Sequence, residues 1–316
     1  MKIVFLGSGT FAIPSLQALV AAGHEIAAVV TQLDRAKGRG LSLQPPPVKP
    51  VAEALGLSVL QPPRIRAPEA HQALRALAPE LQVVVAYGQI LPRSVIDVAS
   101  RGTINVHSSL LPRYRGAAPI HWAIVNGETE TGVTTMMIDE GLDTGPILLS
   151  RATPIGAEET TPELEARLAA MGGELLVETI DGIARGTVAP VPQDHAAATT
   201  APMLRKEDGR IDWNVRAEVI ARRVRGLQPW PGTVTAFAGG DLKILRASRV
   251  AEAADVTGPV GTDAPGAVVA IDEGIVVACG GRTRLRVLEV QPASRRAMPA
   301  VAFAAGARLS PGARLG

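Results

Sequence analysis

At 316 residues the chain is long enough for two domains of roughly 100 to 200 residues or for one large α/β domain. Hydrophobic residues make up 47% and charged residues 20%, and the 32 Gly and 25 Pro together stay below the share at which low-complexity disorder sets in, which excludes a disordered or fibrous chain. The single cysteine, Cys279, excludes an internal disulfide and a cysteine-built metal framework. It fits a reducing compartment. No apolar run reaches the roughly 18 residues of a membrane helix, and the first residues enter a strand-like segment with no signal-peptide core, so a cytoplasmic protein is expected.

The net charge of +2 hides an asymmetry: residues 1–200 carry 15 basic and 19 acidic side chains, and residues 201–316 carry 17 and 11. A basic C-terminal third beside a mildly acidic remainder suits a polyanionic partner, whose phosphates would supply the attraction. An Arg-rich composition scattering surplus charge explains it equally well, and charge alone leaves both open.

Short apolar strands alternate with helical stretches through the first half, the pattern of a parallel sheet covered by helices. Strands are expected at 2–6 and 25–31 with a helix over 13–22 between them. A helix ending at Gly56 follows the Pro45-Pro46-Pro47 stretch, then a strand at 57–60. The continuous apolar run at 82–87 reads as a central strand buried on both faces. Further strands are expected at 104–107, 133–138 and 147–149. Leu164, Leu168, Met171 and Leu175 recur at helical spacing, so 161–185 reads as an amphipathic helix with Thr161 as N-cap before Pro162. Residues 187–202 lack periodicity and read as a linker. After 206 a helix over 215–226 precedes five short strands, at 232–237, 242–247, 266–271, 275–278 and 285–290, which suggest a small closed or half-open barrel.

Chemistry-bearing residues fall into a few groups. Gly7-Ser8-Gly9 follows the first strand, but no acidic residue closes the second strand cleanly, so a tight turn with a helix N-terminus facing a ligand is the reading and a nicotinamide cofactor is not expected. In the strand Ile104-Asn105-Val106-His107, side chains alternate, placing Asn105 and His107 on one face at the strand's carboxyl end, where parallel sheets bind ligands. An amide donor beside an imidazole suits a developing oxyanion and a proton transfer. A strand-end histidine satisfied by backbone groups is the ordinary alternative, and the residues leave the two open. Asp143, flanked by Gly141 and Gly145, could orient His107 or be simple turn chemistry. The stretch from Asp34 to Lys49 carries Arg35, Lys37, Arg39 and Lys49 against one acid, either a phosphate-contacting arm or a solvated loop. Arg113 and Arg115 are equally ambiguous between a ligand clamp and surface ion pairs. No repeated His or carboxylate spacing supports a metal site.

Taken together, INVHSSLLPRYRGAAPIHWAI and ETGVTTMMIDEGLDTGPIL resemble the folate-dependent formyltransferases. TQLDRAKGRG and PPPVK resemble the branch of that family acting on methionyl-tRNA, and VVVAYGQILP, IDW, QPWPGT, QPASRRAM and PGARL extend the likeness along essentially the whole chain. The resemblance implies transfer of a formyl group from 10-formyltetrahydrofolate, as co-substrate, to the amine of initiator methionyl-tRNA. It implies a Rossmann-like, mostly parallel catalytic domain over 1–189, a linker at 190–205 and an OB-like tRNA-binding domain over 206–316. By the same carry-over Asn105, His107 and Asp143 are the catalytic residues, and Ser109, Leu110, Leu111 and Pro112 are the folate-binding loop. Arg39, with Arg35, Lys37 and Lys49, falls on the loop that enters the acceptor stem. A monomer without metal is expected. The chain departs from the family at Gly7-Ser8-Gly9-Thr10-Phe11-Ala12, at Ser108, and at Leu41 and Ser42, where relatives often carry Lys and the grip on phosphate is stronger. The nearest rival is a formyltransferase of the same family acting on an amino sugar nucleotide.

Overall fold

A computed structural model describes residues 1–36, 42–237, 240–250 and 264–316, together with the backbone alone at Lys37. The described residues form two compact units, one of residues 1–119, 130–154 and 165–202, the other of residues 120–129, 155–164 and 203–316.

In the first unit the apolar runs become β1 (Lys2–Gly7), β2 (Glu25–Val30), β3 (Arg35–Lys37), β4 (Ser42–Gln44), β5 (Val59–Leu60), β6 (Leu81–Val85), β7 (Thr103–His107), β8 (Glu130–Met137) and β9 (Ile147–Pro154). Seven of these make one sheet in the order β5-β2-β1-β6-β7-β8-β9. The first five are parallel, while β8 and β9 are each antiparallel to the preceding strand. All five residues of β6 are buried, as its unbroken apolar run requires of a central strand. It is shorter than expected because Ala86 turns out of the ladder at φ +46. β5 likewise begins at Val59 instead of residue 57.

Helices α1 (Ile13–Ala21), α2 (Val48–Ala54), α3 (Pro68–Ala76) and α4 (Arg93–Ile96) lie within this unit; α5 (Pro119–Asn126) and α6 (Thr161–Arg185) follow. Leu74 of α3 and Val95 of α4 join Val4, Leu6, Val30 and Val84 in one buried cluster. α6 spans the expected residues, but its cap lies one position earlier: the Thr160 backbone N–H donates to Glu163 at 2.8 Å, a capping-box bond. The Thr161 hydroxyl instead donates to the Gly226 carbonyl at 2.8 Å. Gly172 of α6 comes so near the sheet that a Cβ there would lie 3.0 Å from Val106 Cγ1, which identifies the face of β7 that the helix covers.

The second unit holds α7 (Ala217–Gly226), β10 (Thr233–Phe237), β11 (Gly240–Arg249), β12 (Val268–Ile271), β13 (Ile275–Cys279), β14 (Thr283–Pro292), β15 (Met298–Pro299) and α8 (Ala300–Ala307). The strands form an antiparallel sheet ordered β10-β11-β14-β13-β12, with β15 on β14. Residues 312–316 join its two edges: Val268 N–H donates to Ala313 O, Leu315 N–H to Gly266 O and Gly316 N–H to Ala236 O, each at 2.8 Å. Alternate residues of β11 and β14 pack with Trp213, Ile220, Val224 and Phe303 into its core, where the Trp213 indole N–H donates to Thr235 Oγ1 at 2.9 Å. No described helix is long and apolar enough to cross a membrane.

Candidate active site

Strand alternation is the first cause of the site. Ile104 and Val106 face the helix-covered side of β7, so Asn105 and His107 share the other side. Asn105 is half-buried and its amide makes no hydrogen bond to the described residues, which leaves two donors and an acceptor for a ligand. His107, the last residue of β7, is only 6% exposed.

Both ring nitrogens of His107 face acceptors. Nε2 lies 3.0 Å from the Tyr114 carbonyl, which has no proton to give, so Nε2 carries the hydrogen. Nδ1 lies 3.7 Å from Asp143 Oδ2, close enough for charge interaction and beyond hydrogen-bond length. His107 thus has a backbone partner at one nitrogen and a carboxylate near the other.

β8 runs antiparallel to β7, with Met137 opposite Ile104, and the chain then returns through residues 138–146 before entering β9. That return brings Asp143 back to His107. Asp143 sits at φ +52, a left-handed conformation Asp tolerates better than most residues. Its Oδ2 accepts from Gly116 N–H at 2.8 Å. Gly116 has φ +126, and a Cβ there would lie 2.6 Å from the Ala201 carbonyl oxygen, so only glycine fits where the backbone donates to the carboxylate.

Residues 109–112 form the turn beyond His107. Ser109 is 1% exposed and its hydroxyl donates to Arg113 O at 2.7 Å, and Leu111 is 7% exposed with its N–H donating to Thr134 Oγ1 at 3.2 Å. Leu110 and Pro112 are half-buried, and Leu110 packs on Gly132 of β8. Leu142, next to Asp143, presents an apolar side chain to solvent at 68% exposure.

Within the basic arm β3 pairs antiparallel with β4, Arg35 opposite Gln44. Arg35 donates to Gln32 Oε1 at 3.2 Å. Lys49 lies 2.9 Å from Asp34, whose carboxyl is held below its usual range first by the Gln61 side-chain hydrogen bond and then by Lys49. Arg39 and Leu41 lie outside the described residues, as does the Lys37 side chain. Arg35 lines a cleft of about 290 Å³ with Ser8, Gly9, Gln32, Gln44 and Gly88. Ser8 ties the ends of three strands together there: its hydroxyl donates to Tyr87 O and accepts from Thr31 Oγ1 and the Gln32 N–H, all within 3.2 Å. Among the described residues no group of three His, Cys, Asp or Glu side chains could hold a metal.

The residues that sequence reasoning passed over are Tyr114, Gly116, Gln193 and Thr199. Gly116 stands in a Gly-Ala-Ala run that has no polar signature, and the others work through backbone groups or at long range. Gln193 carries one faint signal, a polar side chain 6% exposed in a stretch of exposed neighbours, and exposure is not visible in sequence.

A formyl transferase profile matches residues 1–180, and a formyl transferase C-terminal domain profile matches residues 203–308. The chain is 53% identical over 316 residues to a methionyl-tRNA formyltransferase of Solibacter usitatus, covering 100% of this chain and 99% of that one. It is 51% identical over 317 residues to one of Citrifermentans bemidjiense, covering 100% and 96%. Among solved structures, a HypX variant from Aquifex aeolicus superposes with a TM-score of 0.65 at 19% identity, over 96% of this chain and 48% of that one. An N-formyltransferase from Helicobacter canadensis gives 0.66 at 17% identity, over 91% and 98%. These distant likenesses carry the fold: a Rossmann-like, mostly parallel sheet followed by an antiparallel one. On the two profiles and the full-length relatives, the chain belongs to the formyl transferase family.

Proposed function

We propose that the chain transfers the formyl group of 10-formyltetrahydrofolate to the free amine of initiator methionyl-tRNA, with Asn105, His107 and Asp143 as the catalytic residues. The transfer itself is the activity named for relatives 46–53% identical over the whole chain, which favours it over the amino-sugar rival. The observation that carries the residue assignment is a buried imidazole fixed between a carbonyl and a carboxylate, two residues from an amide with unspent donors on the same strand face.

The chemistry follows from where charge develops. Attack of the amine on the formyl carbon gives a tetrahedral intermediate with negative charge on oxygen and positive charge on nitrogen. Asn105 Nδ2 donates to the oxygen, as oxyanion-hole groups do. The Tyr114 tether occupies His107 Nε2 with its hydrogen, so Nδ1 is the nitrogen left to take the amine's proton and then, on the charged ring, to donate to the intermediate. Asp143 balances positive charge on the ring and helps carry the amine's proton toward the leaving folate nitrogen. No covalent bond to the enzyme is needed.

The turn of Ser109, Leu110, Leu111 and Pro112 shapes the folate side, with Leu110 and Pro112 the half-buried members available to a ligand and Ser109 and Leu111 holding the turn from inside. The basic arm bearing Arg35, Lys37, Arg39 and Lys49 contacts the acceptor end of the tRNA. The basic stretch over 206–316, as an OB-like tRNA-binding domain, holds the rest. The protein acts as a cytoplasmic monomer. His107→Ala tests the assignment: formylation is expected to be lost while binding of charged tRNA persists, and wild-type turnover in that variant would remove His107 from the mechanism.

A further inference from the structure

The segment from Val191 to Ala201 has no sequence periodicity and is buried only at Gln193 and Ala201, yet it is bonded to both loops that hold the catalytic groups. Val191 and Ile147 exchange backbone hydrogen bonds at 2.8 Å. Thr199 accepts from Arg115 N–H through its carbonyl at 2.9 Å and from Tyr114 N–H through its hydroxyl at 2.9 Å. Tyr114 is the residue whose carbonyl holds His107.

Gln193 makes the most of these contacts. Its Nε2 donates to the carbonyls of Asp143 at 2.9 Å and Gly145 at 2.7 Å, the residues on which the left-handed turn at Asp143 rests. Its Oε1 accepts from Arg115 Nε at 3.1 Å and Nη2 at 2.7 Å. Two donors meet two carbonyls and one oxygen meets a guanidinium, so the amide's orientation is forced and its hydrogen-bonding capacity is fully used. A glutamate there would keep the Arg115 pair but turn an oxygen on both carbonyls. A methionine would keep the volume and lose all four bonds.

We infer that Gln193, backed by Arg115, is a positioning residue for formyl transfer: it clamps the Asp143–Gly145 turn so that the Asp143 carboxylate stays beside His107. Gln193 acts through Asp143 and touches no reacting atom. The inference rests on the catalytic roles proposed above for Asp143 and His107. A catalytic carboxylate displaced by about 1 Å costs on the order of 10²-fold, which sets the scale.

The test compares Gln193→Met, Gln193→Glu, Arg115→Met and the Gln193→Met/Arg115→Met double variant with wild type and His107→Ala, in steady-state formylation of charged initiator tRNA and in thermal melts. Both Gln193 variants are expected to lose kcat by about 10- to 100-fold with KM for both substrates nearly unchanged. The double variant is expected to be no worse than Gln193→Met, because the two residues act on one turn. Should Gln193→Met melt well below wild type, Arg115→Met carries the test, since it removes the guanidinium's bonds to Gln193 and to the exposed His195 ring and leaves both Gln193 donors in place. A wild-type kcat in the folded Gln193 variants, a loss confined to KM, or multiplying losses in the double variant would each overturn the inference. His107→Ala separates the two levels: full turnover there overturns the catalytic assignment itself, whereas an inactive His107→Ala beside a fully active Gln193→Met overturns only the clasp.

Discussion

Asp143→Asn removes one charge and little else. The asparagine oxygen can still accept from Gly116 N–H, and the Asp143 carbonyl keeps its bond to Gln193, so the turn is preserved. What is lost is the carboxylate 3.7 Å from His107 Nδ1, between side chains only 7% and 15% exposed. Two unit charges at that separation in an effective dielectric of about 20 interact by about 4 kcal/mol, equivalent to about 10³ in rate if the ring is charged in the transition state and neutral before it. The assay is single-turnover formyl transfer to charged tRNA, with KM for each substrate measured in parallel. A fall in the chemical step of about 10³ with near-constant KM is expected. A loss under about tenfold, or one carried wholly by KM, would refute the charge argument and leave Asp143 as a turn residue.

Four further outcomes follow from other parts of the molecule. Asn105→Ala is expected to lower kcat by about 10² to 10³, the usual effect of deleting one oxyanion donor, and single-turnover rates equal to wild type would exclude it from that role. Thr235→Val keeps the shape of the second unit's core but orphans the Trp213 indole N–H, so chemical denaturation should show a loss of about 1 to 3 kcal/mol; an unchanged midpoint would contradict the importance of that bond. Burial pushes the Cys279 thiol up to about 12, so native protein at pH 8 should resist a thiol reagent that labels the unfolded chain at once, and rapid native labelling would contradict its burial. Binding of tRNA to the basic C-terminal third should weaken steeply between low and physiological salt as counterions are released, and a flat response would count against docking there.

What the sequence made legible was governed by local periodicity. The alternation in Thr103–His107 placed Asn105 and His107 on one face, and the 3.6-residue spacing of Leu164, Leu168 and Leu175 marked α6 as a helix. The proximity of Asp143 to His107 was open from spacing alone, because it depends on a return of the chain after an antiparallel strand. The supports of the site were hidden for a related reason: Tyr114 and Thr199 are 85 residues apart, and Gln193 and Gly145 are 48 apart. Bonds at that range leave no periodic trace in either partner. The stretch at 190–205, expected as a linker, supplies the Gln193 and Thr199 contacts for the same reason. Residues 35–44 carry three basic side chains and two glycines and no alternating apolar run, so the three-residue strands β3 and β4 were too short to register.

The most direct measurement mixes the protein with 10-formyltetrahydrofolate and charged initiator methionyl-tRNA and quantifies formylmethionyl-tRNA, beside uncharged tRNA, charged elongator tRNA and an amino sugar nucleotide. Efficient formylation of the charged initiator alone is the expected result. Formylation of the amino sugar nucleotide with none on tRNA would contradict the account, keeping the chemistry of the site and overturning its acceptor.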